Sequence, residues 1–254
     1  MSSKRPLIVY AVLTINLLLW ICLELTGGSQ NIQNLMRFGG ISFLEISSGQ
    51  YWRLLAAMFL HIGAAHLAVN CLSLLIMGGM VERTFGHIRF ITIYLISGLG
   101  GSAFSFWMIH PFAIGAGASG AVFGCVGALG SFFLIRRRDL GRLGKQNLNA
   151  ILILASINFA FGFIMPGIDN WAHLGGFLVG ILTGSGLTPA TLTSTRFGFR
   201  QMTHGKDGNQ TRNKLAKSAM LGLSVLLMHL QNYIALMVQK LLSGWWHIIW
   251  LMVV

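Results

Sequence analysis

Apolar runs about as long as a bilayer is thick recur along this chain, and they constrain its fold more than any other feature. Read against the polar breaks, they fall near 7–25, 58–80, 90–109, 117–135, 148–165 and 171–188. A seventh candidate covers 216–239, and a short apolar tail follows over 241–254. A helix needs roughly 20 apolar residues to cross the hydrocarbon core. Inside that core every backbone amide and carbonyl must be satisfied within the protein, which for runs of this length means helices. The expected fold class is therefore an all-α membrane protein: a six-helix transmembrane bundle with a seventh C-terminal span. The expected organisation is a six-span core over 1–188, a basic cytoplasmic linker over 189–217, and a further transmembrane or interfacial segment over 218–254. Charged residues make up 9% of the 254, against about a quarter in soluble domains, so most of this surface does not face water.

A net charge of +12 would suggest nucleic acid in a soluble protein. Here the basic residues sit between the apolar runs, where lysine and arginine set membrane topology. Fifteen of the 18 fall on one side: Lys4 and Arg5, Arg83 and Arg89, the group from Arg136 to Lys145, and the group from Arg196 to Lys217. Only Arg37, Arg53 and Lys240 fall on the other. This bias places the amino terminus in the cytoplasm of a multi-pass cell-membrane protein, as in a bacterial inner membrane. The lipid bilayer is an expected partner and nucleic acid is not. The first run follows Lys4-Arg5 but is longer than the 7–15 residues of a signal-peptide core, so an uncleaved span is expected. Cys22, Cys71 and Cys125 lie in apolar runs without CxxC spacing. They read as small buried hydrophobes, and neither a metal nor a small-molecule cofactor is expected.

Under this topology spans two, four and six all start at the outer face, and each carries polar residues in its first turns. Span two opens with His61, His66 and Asn70, the last two sharing a helical face. Span four opens with Gly117-Ala118-Ser119-Gly120, and span six with Trp171-Ala172-His173. Such groups are costly in a membrane unless they face the bundle interior or a watery cavity, where they mark function. Gly120, Gly124 and Gly127 on span four, and Gly176, Gly180 and Gly184 on span six, form small-residue faces that let two backbones approach closely. Packed together, those faces would bring Ser119 toward His173. A serine hydroxyl needs a base to take its proton, and histidine titrates near neutrality. Acyl transfer also needs donors for the developing oxyanion. His66, Asn70 and the Ser119 amide can supply them.

These pieces resemble the rhomboid intramembrane proteases. The resemblance rests on Trp52-Arg53, on His61, His66 and Asn70 at their spacing, on Glu82-Arg83, on Gly117-Ala118-Ser119-Gly120, and on Ala172-His173 with Gly176 and Gly180. It covers roughly residues 7–188. It implies a rhomboid-like bundle that cleaves transmembrane helices of other proteins near the outer membrane face, usually after a small residue. Ser119 would be the nucleophile, His173 the base, and His66, Asn70 and the Ser119 amide the oxyanion site. It further implies that Phe123, one turn past Ser119, packs the histidine ring. The aromatic-rich first loop, 26–56, would be a lateral element partly embedded in the membrane, and 165–171 a cap over the site.

Other readings compete. A non-catalytic relative that binds membrane helices would be expected to lack the serine or the histidine, and both are present. A bis-histidine haem protein using His61 or His66 with His173 would leave the glycine–serine motif unexplained. A transporter would show broken helices and inverted repeats, and neither is clear here. Asp169, four residues before His173, would complete a triad if it faced the ring; in an outer loop it would instead be exposed to solvent.

Overall fold

A computed structural model describes residues 5–108, 113–165 and 167–190. The linker beyond 190, the seventh candidate span at 216–239 and the tail lie outside the described residues. Every regular element among the described residues is helical, apart from one isolated antiparallel bridge between Ile41 and Gly115.

Helix α1 (Leu7–Leu25) follows Pro6, which can donate nothing to the first turn. The buried carboxylate of Glu82 accepts from the Ile8 amide at 2.9 Å and the Val9 amide at 2.8 Å, so a side chain from another helix satisfies the exposed donors of α1. The first loop contains three short helices: α2 (Ile32–Phe38), capped by the Asn31 side chain, then α3 (Phe43–Ser47) and α4 (Arg53–Ala56). Arg53 is buried, and its guanidinium donates to Gln50 Oε1 at 2.8 Å and to the Met36 carbonyl at 2.6 Å. It ties the start of the loop to its end. Leu44, Tyr51 and Trp52 on the same loop are exposed, as suits an element at the headgroup level.

Helix α5 (Gly63–Ser73) runs through a single π turn, Leu74–Gly78, into α6 (Gly79–Phe85), and these form one continuous rod. The sequence reading ended this span at 80; the rod continues to Phe85 because Val81, Glu82 and Phe85 are buried against neighbours rather than left in solvent. Then come α7 (His87–Met108), α8 (Ser119–Ile135), α9 (Gly141–Ile164) and α10 (Asn170–Leu187). Helix α9 starts seven residues ahead of the apolar run that announced it, so Arg142 and Lys145 belong to its first turns rather than to a loop.

By length and apolar composition four helices among the described residues can cross a membrane: α1, the rod over Gly63–Phe85, α7 and α9. Helix α8, at 17 residues, is shorter and sits at the centre: all but four of its residues are buried. Around it Leu74, Val81, Phe85, Phe90, Tyr94, Leu129 and Phe132 form the largest core cluster. Helices α1 and α9 are peripheral and mostly outward-facing. The three cysteines are free, but only Cys125 is buried; Cys22 lies on the exposed face of α1, where surrounding lipid accepts a small apolar side chain.

Candidate active site

Glycine sets the packing that builds the site. A Cβ on Gly176 would stand 2.0 Å from the Gly120 carbonyl oxygen, and one on Gly180 would stand 2.2 Å from that of Gly124. One on Gly127 would meet the Phe177 carbonyl oxygen at 2.3 Å. Helices α8 and α10 therefore touch backbone to backbone along three turns, an approach only glycine permits. Helix α7 closes the same seam: a Cβ on Gly101 would lie 2.7 Å from the Ala172 carbonyl oxygen. Dispersion between close-packed atoms supplies the attraction here, because lipid competes away any hydrophobic gain.

This seam holds Ser119 at the first position of α8 and His173 in the first turn of α10, at the same end. His173 is buried, and its ring stacks on Phe123 with centroids 4.1 Å apart and planes 13° from parallel. Phe123 lies one turn below Ser119 and packs in turn on Phe159 of α9, at 5.0 Å between centroids. The Ser119 amide, at the amino end of α8, has no acceptor within its own helix, and the helix dipole favours negative charge there.

The segment before Ser119 is held from two sides. Ile41 and Gly115 exchange both backbone hydrogen bonds, at 2.8 and 3.0 Å, and the Gly117 amide donates to the Ala57 carbonyl at 2.9 Å. Gly117 has a φ of +142°, and a Cβ there would lie 2.9 Å from His66 Cε1 and 3.0 Å from His66 Nε2, with Ser119 Oγ at 3.8 Å. His66 and the serine hydroxyl thus face one point beside Gly117. The Ile62 amide donates to His66 Nδ1 at 3.4 Å, which assigns the acceptor role to Nδ1 and the proton to Nε2, the nitrogen nearer that point. Asn70 is buried; one of its two amide hydrogens goes to the His66 carbonyl at 3.0 Å, leaving the other available. A cavity of about 20 Å³ opens beside Ser119, lined by Ala116, Gly117, Ser102 and Asp169 among others, enough for one water.

Two positions differ from the sequence reading, and a third had no place in it. Asp169 is not a solvated loop residue: its carboxylate accepts from the Ala172 amide at 2.9 Å and from the buried Ser105 hydroxyl. Nor does it touch the His173 ring, whose Nδ1 is buried without a hydrogen-bond partner, so the geometry is not that of a serine–histidine–aspartate triad. His61 lies ahead of α5 rather than inside the span, fully buried, its ring 5.4 Å from that of His66. Ser105 carried no signal in the sequence, because its partner lies 64 residues away. Among the described residues no cluster of histidine, cysteine or carboxylate side chains could hold a metal ion.

Fold and site together define a multi-pass helical membrane protein with a polar pocket at one end of a glycine-packed helix pair. A family model described as a rhomboid domain matches residues 48–190. The chain belongs to the rhomboid family. It is 42% identical over 186 residues to "Rhomboid protease GluP" of Bacillus subtilis (strain 168), covering 73% of this chain and 36% of that protein. It is 36% identical over 195 residues to "RHOMBOID-like protein 4" of Arabidopsis thaliana, covering 76% and 48%. To "Rhomboid protease AarA" of Providencia stuartii it is 33% identical over 175 residues, covering 59% and 60%. The chain thus spans between about a third and three-fifths of the length of these relatives.

Proposed function

We propose that this protein is an intramembrane serine endopeptidase acting on transmembrane helices of other membrane proteins near the outer membrane face. Ser119 Oγ attacks the scissile carbonyl while His173 takes its proton. The oxyanion receives the Ser119 amide, His66 Nε2–H and the free Asn70 amide hydrogen. His173 then protonates the leaving amine, and water hydrolyses the acyl-enzyme by the same route in reverse. No cofactor enters these steps. Phe123 orients the imidazole by stacking, where a soluble triad would use a carboxylate. Gly117 keeps the approach to His66 open, and Gly120, Gly176 and Gly180 hold the dyad's two helices together. The observation that carries this reading is the α8–α10 seam, with serine and histidine at one end and the histidine ring stacked one turn below the serine. Two of the relatives, Rhomboid protease GluP and Rhomboid protease AarA, are named as proteases, which supports it. The test is labelling with a fluorophosphonate probe together with cleavage of a helical substrate in proteoliposomes.

The same reading gives six crossings by the core, with the amino terminus in the cytoplasm of a bacterial inner membrane. Helix α8 crosses despite its modest length because its neighbours bury it, and α10 crosses with its glycines turned to α7 and α8 and with Leu178 and Leu182 facing outward. Reporter fusions after Arg138 and after Arg212 are expected to report cytoplasm, and a fusion within 28–34 the outer side. A cytoplasmic signal from the first loop would reverse the orientation.

Asn70→Ala separates oxyanion donation from packing. Losing one such donor costs roughly 100–1,000-fold in turnover in a soluble protease, with little change in KM because the donor acts on the transition state. Interhelical hydrogen bonds in membranes average only about 0.6 kcal/mol, and the one Asn70 makes is to its own helix, so thermal stability should barely change. With His66 still donating, the loss is expected near the low end of that range. Unchanged kcat in the folded variant would make Asn70 a structural residue only.

A further inference from the structure

The two oxygens of Asp169 do different work. Oδ1 caps the first turn of α10 by accepting from the Ala172 amide, and Oδ2 accepts from Ser105 Oγ on α7. Ser105 is fully buried three residues before the end of α7, and the backbone carbonyl of Asp169 also accepts from the His173 amide at 3.2 Å. A residue three positions ahead of Ala172 and four ahead of His173 is thereby fastened to a neighbouring helix. Lower down, α10 meets its neighbours through close glycine contacts and through the apolar side chains of Phe177 and Val179, which sit a turn or more below His173 and do not fasten the terminal turn. The tie lies at the one place where a shift of α10 would carry His173 away from the serine.

We propose that Ser105 and Asp169 form a clasp that fixes the first turn of α10 against α7, making Asp169 a positioning residue for His173 rather than the third member of a triad. This rests on the protease reading of the site. The carboxylate acts through the helix backbone, and its charge is not required. Asparagine at 169 can keep both links, its Oδ1 accepting from the Ala172 amide and its Nδ2 donating to Ser105 Oγ.

The clasp is tested in the full-length protein, in proteoliposomes, with Ser105→Ala, Asp169→Asn, Asp169→Ala and the double alanine variant. A misplacement of about 1 Å costs on the order of 100-fold in rate. Asp169→Ala is therefore expected to lower kcat about 100-fold and Ser105→Ala about tenfold, both with KM unchanged. Asp169→Asn should keep most of the wild-type kcat, and the double variant should be no worse than Asp169→Ala. Hydrogen exchange should quicken at the amides of Ala172 and His173 in Ser105→Ala, with residues 180–187 unaffected. Wild-type kcat in Ser105→Ala would overturn the proposal, as would an Asp169→Asn variant as slow as Asp169→Ala, which would make the charge decisive. Faster exchange along the whole of α10 would also overturn it, reducing the pair to bulk stability. If the wild type neither labels nor cleaves, the protease reading falls, and the exchange data alone decide whether the clasp holds the turn.

Discussion

Ser119→Ala is expected to eliminate both fluorophosphonate labelling and cleavage of a transmembrane substrate, a loss of at least about 1,000-fold, while the protein stays folded and inserted. The magnitude follows from the role: without the hydroxyl no acyl-enzyme forms, and only the background rate that binding and oxyanion donors can support remains. The structure makes the substitution mild in every other respect. Ser119 stands at the first position of α8, and alanine removes only the hydroxyl oxygen while being the better helix former, so helicity and melting should match the wild type. His173→Ala should reduce cleavage as deeply, and combining the two should add almost nothing, because the pair acts as a unit. Cleavage by the folded alanine variant at a near-normal rate would remove the protease assignment altogether.

Gly176→Val is expected to be the most damaging substitution outside the reacting groups. The added Cβ would fall 2.0 Å from the Gly120 carbonyl oxygen, and backbone on backbone has no flexible end that could give way. Overpacking a core costs typically 1–3 kcal/mol when side chains can adjust; here the helices themselves must separate, so the cost should exceed about 3 kcal/mol. The same displacement would withdraw His173 from Ser119, and labelling of whatever folded fraction survives should fall with it. Gly186→Val, on the same helix with nothing within 4 Å of its would-be Cβ, is the control. Equal stability of the two variants in denaturant titrations would mean that the seam contributes nothing to the bundle.

Part of this arrangement could be read without coordinates, because it is written in local terms. Length and apolarity give spans, and four-residue spacing gives faces. That is why Gly176 and Gly180 could be seen to share one side of a helix, and His66 and Asn70 one side of another. What stayed hidden depends on contacts distant along the chain. The pairing of Ile41 with Gly115 and of Gly117 with Ala57 is made by backbone groups, which carry no residue-type signature. Glu82 stood out as a motif, yet its task of accepting from the Ile8 and Val9 amides appears only once α1 and the rod lie side by side. Asp169 reads in the sequence as either a triad member or a solvated loop residue, and in the structure it is a helix cap tied to α7. Hydropathy also misjudged ends, as at Phe85 and Gly141, because a helix outlasts its apolar stretch wherever neighbours or the interface satisfy it.

The pocket draws on parts scattered from Ile41 to His173, with the last of them on α10, and this has a consequence for biosynthesis. Spans enter the membrane in chain order. On the protease reading, a nascent chain that has delivered α8 carries Ser119 and the donors of α5 but lacks His173, the base proposed for it. Until α10 arrives, such a chain would be expected to leave the helices of other newly made proteins uncut. If the protease reading holds, the seam that brings Ser119 and His173 to one end forms only when α10 packs on α8, so the site is complete no earlier than the insertion of that helix. Under this reading the order of the helices works as a built-in delay.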